Sequence, residues 1–375
     1  MPTTIGPRAV NRATLERQSL LRRAPVADVP VAAAIERLVG LQAQLPNPPY
    51  VGLWSRLDGF TRDALETLVR DRRVVRTGLM RATLHLVTAD DMVRLRPVLQ
   101  PVLARAQKGH FGARLAGVDP AELAAVGREL YAGKALTQAE LRRHLDERWP
   151  GRDPEALAYS VNYLTPVVQA PPGGLWGRQG SIPYTLADTW LDRPVAGGGA
   201  APDTLFLRYL AAFGPASVAD VQAWSGLTRL REVADRLRPG LRVLRDEAGR
   251  ELLDVPEGPL PDPDTPAPVR FLPEYDNLIV GYADRGRMVP DAHRARICAG
   301  PFIAAAVLVD GTARGSWRFA RRRDGTAVME VELFERLARR EAGAVEAEAG
   351  RLLRFAAPDA ETHDVRVRGI NPQEA

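Results

Sequence analysis

The amino-acid sequence predicts an α+β protein, with tandem winged-helix (helix-turn-helix) motifs followed by a C-terminal β-rich module. Three observations predict it. Short amphipathic helices followed by a two-stranded ribbon recur three times in the same order. A proline-rich stretch, residues 256–268 (PEGPLPDPDTPAP), reads as a stiffened linker. Beyond it the apolar spacing changes to that of strands, with one long helix near the end. The expected units are 1–118, 119–196 and 202–256 for the three winged helices, and 269–375 for the β-rich module.

In the first unit, helices are expected over 11–22, 29–41 and 61–71, with Ile35, Leu38 and Val39, then Leu65, Leu68 and Val69, at helical spacing. A ribbon over 74–87 follows, in which Thr83, His85 and Val87 alternate with Leu84 and Leu86. The second unit begins near Asp119. Thr137 and Glu140 form a capping box ahead of helix 141–148. Residues 154–164 are the recognition-type helix, and 167–186 the wing, with Trp176, Tyr184 and a glycine-rich tip at 173–177. The third unit has helix 204–213 closed by Gly214-Pro215, a cap from Ser217 to Asp220, helix 227–237 and hairpin 241–255. Residues 197–201 are a linker. Strands near 269–272, 302–309, 313–320 and 327–333 and a helix over 334–355 complete the β-rich module.

At 375 residues and 45% hydrophobic content, the chain has room for two to four modules with proper cores. No run of about 18 apolar residues suggests a membrane span, and the N-terminus lacks an apolar signal core, so the cytoplasm is expected. A single cysteine, Cys298, excludes an intramolecular disulfide and a cysteine-based zinc site. The five histidines are scattered, and neither a Walker loop nor a Gly-x-Ser-x-Gly elbow occurs, so no metal or cofactor is expected. The formal charge is +5, and only Lys108 and Lys134 among the 51 basic residues are lysines. GC-rich coding accounts for such a bias. Arginine also suits phosphate and guanine, so nucleic acid is compatible with it.

Gln42 and Gln44 flank Ala43 at the expected end of helix 29–41, ahead of Pro46, Pro48 and Pro49, which forbid its continuation. On a helix the pair would diverge by about 200°, whereas in an extended segment it shares a face. Leu45, preceding Pro46, is pushed out of the helical region. Two readings stay open: surface amides at a helix end, or two amides facing one cavity. An amide can orient water but takes up no proton, which limits the reactions available. Pro2, once Met1 is removed, is either a processed start or an amine able to form a Schiff base with an abasic sugar.

The segments 42–50 (QAQLPNPPY), 76–87 (RTGLMRATLHLV), 182–190 (IPYTLADTW), 206–215 (FLRYLAAFGP) and 271–282 (FLPEYDNLIVGY) resemble the bacterial winged-helix DNA glycosylases of the AlkZ type. The resemblance covers nearly the whole chain. It implies a concave basic surface for duplex DNA and a catalytic Gln-apolar-Gln motif, here Gln42 and Gln44. It also implies hydrolysis of the glycosidic bond of N7-alkylated purines, including bulky adducts and interstrand crosslinks left by DNA-alkylating natural products. A sister branch carries aspartate at the second glutamine; this chain does not. Such a cationic lesion needs no general acid, and two carbonyl dipoles could orient the water and favour the developing sugar cation. With few imine nucleophiles, a monofunctional enzyme acting as a monomer on double-stranded DNA is expected, with no membrane partner. On the first ribbon, Arg76 and Arg81 could touch phosphates and His85 is the candidate polar reader; the alternative is an exposed wing with incidental charge. Arg318, Arg321, Arg322 and Arg323 line a DNA path or solvate a strand end. Glu274 and Asp276 would repel phosphate, so a structural role or an arginine partner is expected for them. The competing reading is a non-catalytic winged-helix transcriptional regulator, although such proteins are normally small symmetric dimers.

Overall fold

The computed structural model describes residues 3–196 and 198–369, which leaves Pro2 outside them. The chain is a mixed α+β structure. Its first helices, Pro7–Arg17 and Val31–Arg37, lie where amphipathic spacing places them, but the second stops four residues short of the expected 41. Val39 (φ 54°) and Gly40 (φ 88°) take left-handed conformations, and Gly40 N–H closes the helix end on Ile35 O at 2.9 Å. A β-branched residue there is strained. The turn releases Leu41–Gln42 as a strand instead of a last helical turn. The prolines do more than stop a helix: Pro48 and Pro49 open a new one, Pro48–Arg56, at its first positions, where no N–H is missed.

Helix Arg62–Arg70 leads into the hairpin Val74–Gly78 and Leu84–Thr88, as expected. The helix Ala89–Phe111 was not legible, since Pro97 and Pro101 lie inside it; Thr88 caps it, accepting from Asp91 N–H at 3.2 Å. Both halves of the Thr137/Glu140 box form on helix Gln138–Arg148, and helix Pro154–Leu164 follows. Ser217 and Asp220 likewise box helix Val218–Ser225. The next helix begins at Leu230 and not at 227, because Gly226 and Arg229 are left-handed.

The ribbons do not stand apart as three separate wings. One five-stranded antiparallel sheet runs 41–42, 84–88, 74–78, 167–169, 184–186, joining strands from both sides of the boundary expected at 118/119, with Arg76 opposite Gln169. The glycine-rich turn expected at a wing tip folds back: Tyr50 Oη donates to Gly174 O at 2.9 Å, and Trp176 packs edge-on against Tyr50. The third ribbon, Arg242–Asp246 with Glu251–Asp254, gains an unforeseen parallel partner, Thr3–Ile5. In the C-terminal module, strands Arg270–Leu272, Ala306–Val309, Thr312–Arg321 and Thr326–Leu333 form an antiparallel sheet. Helix Arg339–Ala356 buries Val345, Ala349, Leu352 and Leu353 with Met329 and Val331 of this sheet and returns the chain to Thr362–Arg368, a parallel strand not anticipated.

Candidate active site

Gln42 is the last residue of the edge strand, opposite His85, and Ala43 N–H continues the pairing to Leu84 O at 2.7 Å. The backbone is therefore extended through Ala43 and bends at Gln44; the extended spacing from Gln42 places the two glutamines towards one side. Both amides reach the same hairpin end. Gln42 is buried, and its Oε1 accepts from Arg81 Nη2 at 2.6 Å. Because a guanidinium only donates, this contact fixes which end of the amide is oxygen. The Gln42 NH2 group makes no hydrogen bond within the described residues. Gln44 is exposed, and its Oε1 meets Leu84 N–H only loosely, at 3.4 Å.

The hairpin end is itself strained. Arg81 (φ 53°) and Ala82 (φ 57°) form a two-residue left-handed turn closed by Thr83 N–H on Met80 O at 3.1 Å, at positions where Asn-Gly is usual. The turn is held from outside by the third unit. Arg81 Nη1 donates to Trp224 O, and Gly226 packs so closely that an added Cβ would fall 3.3 Å from the Arg81 backbone. Burial lowers the Arg81 pKa to about 10, and the Arg285 charge acts in the same direction. No carboxylate pairs with Arg81 among the described residues.

The structure corrects the picture of an exposed ribbon reading DNA. Arg76 is 6% exposed, and its guanidinium is spent inside the protein: Nε donates to Ala43 O (2.7 Å), Nη2 to Gln44 O (3.0 Å) and Nη1 to Gln169 Oε1 (2.7 Å). Burial lowers its pKa. His85 is fully enclosed, since the central strand that carries it is covered on both faces. Its Nδ1 lies 2.9 Å from Thr83 O, Nε2 has no partner among the described residues, and burial, with the Arg81 charge second, lowers its pKa to about 3. Neither side chain is presented to a ligand. Arg81, half-buried and bonded to Gln42, is the one member of that trio that keeps partial exposure.

Beneath the motif lies the 271–282 segment. Asp276 accepts two hydrogen bonds from Arg56, at 2.8 and 2.9 Å, in a fully buried pair, which is the arginine partner expected for it. Asn277 Nδ2 donates to Gly40 O at 2.6 Å and holds the left-handed turn that precedes the glutamine strand. Glu274 is half-buried with no cationic partner among the described residues, and burial raises its pKa. In the basic run, Arg318 pairs with Glu330 and Arg321 with Asp359, while Arg322 and Arg323 are exposed with no carboxylate partner among the described residues. Gln169, Trp224 and Asn277 were not singled out from sequence. Asn277 lies within a segment that carried the resemblance, but Gln169 had no signal.

A cavity of about 490 Å³ between the first helix and the third ribbon is lined by neither glutamine; of its arginines, Arg8 and Arg12 pair with Asp310 and Arg250 with Asp246, while Arg287 donates to Phe213 O and Pro215 O. No helix among the described residues is long and apolar enough to cross a membrane.

The α+β fold and an amide pair that takes up no proton agree with the expected class, a DNA glycosylase. The model of the AlkZ-like DNA glycosylases matches residues 35–355, and the chain belongs to that family. An interstrand DNA cross-link repair glycosylase of Streptomyces sahachiroi is 26% identical over 317 residues, spanning 76% of this chain and 80% of that protein. The solved structure of the Streptomyces sahachiroi DNA glycosylase AlkZ shares the fold, with a TM-score of 0.75 at 21% identity, over 98% of this chain and 100% of that one.

Proposed function

We propose that this chain is a monofunctional glycosylase that hydrolyses the N-glycosidic bond of N7-alkylated purines in duplex DNA, bulky adducts and interstrand crosslinks included. Its three helix-plus-ribbon units, the first two joined through one shared sheet, lie as winged helices along one duplex, as a single chain. The observation that carries this reading is the glutamine pair: two neutral amides at the end of one edge strand, both reaching the same hairpin end, one turned by Arg81 and one exposed. Gln42 offers its N–H groups to the attacking water, because its oxygen is committed to Arg81. Gln44 Oε1 accepts from that water and faces the developing sugar cation. Water adds to C1′, the purine leaves with the bonding pair that neutralises its N7 cation, and the proton passes to solvent. An uncharged purine would leave far less readily, so the lack of an acid selects cationic lesions.

The exposure of Gln44 supports a site that works without full extrusion of the base, as a crosslinked purine requires. The name of the Streptomyces relative supports the same substrate class. Protection from a DNA-alkylating natural product is the physiological role this implies. The test is release of free base from an N7-methylguanine duplex in single turnover. Gln42→Ala and Gln44→Ala should each slow release on the order of 10²-fold, as loss of one preorganised dipole does, with duplex affinity little changed. Gln44→Asp should stay active on this small lesion. Wild-type rates in all three folded variants would remove the pair from catalysis.

A further inference from the structure

We propose that Arg76 is a positioning residue for this reaction, fixing Gln44 by clamping the two backbone carbonyls on either side of it. The proposal rests on the catalytic reading of Gln44. The Gln44 side chain is exposed and its one hydrogen bond among the described residues is long, so no hydrogen bond there sets the position of the amide end. The chain ahead gives no ladder either, because Pro46, Pro48 and Pro49 carry no N–H. Position must therefore come from the backbone.

Arg76 supplies it. The residue stands in the central part of the sheet, paired with Leu86 on one side and Gln169 on the other, on the face opposite His85 and Gln42. From there one planar guanidinium reaches Ala43 O and Gln44 O together. A third N–H goes to Gln169 Oε1, and Gln169 Nε2 donates in turn to Tyr184 Oη at 2.7 Å. The clamp is thus braced by the second ribbon. Three neutral oxygens and, among the described residues, no carboxylate partner surround a buried charge, an arrangement that costs stability and yields geometry. Lysine cannot reproduce it, because its single ammonium lacks the planar fork. The same contacts that withdraw Arg76 from DNA thereby give it a part in placing the catalytic amide.

A double-mutant cycle on single-turnover base release separates this from a general packing role. Arg76→Lys retains the charge and loses the fork. A displacement of about 1 Å at a reacting group costs on the order of 10²-fold, so Arg76→Lys should slow release by roughly that factor while leaving duplex affinity unchanged. In a Gln44→Ala background the same substitution should add almost nothing, since the group it positions is gone. Gln169→Met, which removes only the brace, should slow release several-fold and likewise lose its effect beside Gln44→Ala; it decides the matter if Arg76→Lys does not fold. Multiplying effects in both cycles, or wild-type rates in Arg76→Lys and Gln169→Met while Gln44→Ala is impaired, would overturn the positioning role and leave the catalytic pair standing. A Gln44→Ala protein at full rate would instead remove the underlying reading.

Discussion

Replacing His85 by asparagine should flatten the acid dependence of stability by an amount the structure sets. Folded, the imidazole is enclosed and its pKa is lowered to about 3; unfolded, it titrates near 6.5. Because the folded value is depressed, the contribution of this residue is intact above 6.5 and is lost as pH falls from there towards 3. Between pH 7 and pH 5 the unfolded chain gains about three-quarters of a proton at this position and the folded chain almost none. The integrated loss is about 2 kcal/mol. It hardly depends on the folded value, since any pKa near 3 leaves the ring neutral at pH 5. Asparagine keeps a donor for Thr83 O and does not titrate. Urea unfolding at pH 7 and pH 5 on both proteins gives the comparison, in which carboxylates common to the two cancel. The wild type should lose about 2 kcal/mol more than the variant over that interval. Equal losses would mean that the ring is hydrated or charged in the native protein, and the argument from burial would fail.

Two further outcomes concern DNA. Arg322→Ala and Arg323→Ala should weaken binding to damaged and undamaged duplex alike, each flattening the log–log salt dependence by about 0.9. Arg318→Ala and Arg321→Ala should do less, their guanidinium groups being held by Glu330 and Asp359; unchanged slopes in all four would take this hairpin off the DNA path. The product should be an intact abasic site that breaks only under alkali. Spontaneous strand cleavage, or a borohydride-trapped adduct, would point to Pro2 or a lysine as an imine nucleophile.

Short-range chemistry was what the sequence disclosed. The Thr137/Glu140 and Ser217/Asp220 boxes are legible because both partners lie within three residues of each other. Pro46 constrains Leu45, so the extended path through the glutamines could be foreseen, though the strand and its left-handed prelude at Val39 could not. What a ribbon residue faces was hidden. Arg76 and His85 look like surface residues until strands 167–169 and 41–42 arrive on either side of the hairpin. The same holds for Thr3–Ile5 and Thr362–Arg368, short segments that become strands only through a distant partner. Helix Ala89–Phe111 was concealed by its two prolines, which local propensity counts against a helix that tertiary packing retains.

The supports of the glutamine strand arrive late in synthesis. Gln169 braces Arg76, Trp224 receives Arg81, and Asn277 holds Gly40, so the motif at 42–44 is completed by residues up to 233 positions downstream of Gln44 (277 − 44 = 233). At ribosomal rates of roughly 5–20 residues per second, some ten to fifty seconds separate the emergence of Gln44 from that of its last anchor. A nascent or truncated chain ending before the 271–282 segment therefore carries both glutamines without the framework that aims them. On the proposed catalytic reading of the glutamines, hydrolytic competence belongs to the nearly finished polypeptide, and a fragment ending before residue 271 should release no base from damaged duplex.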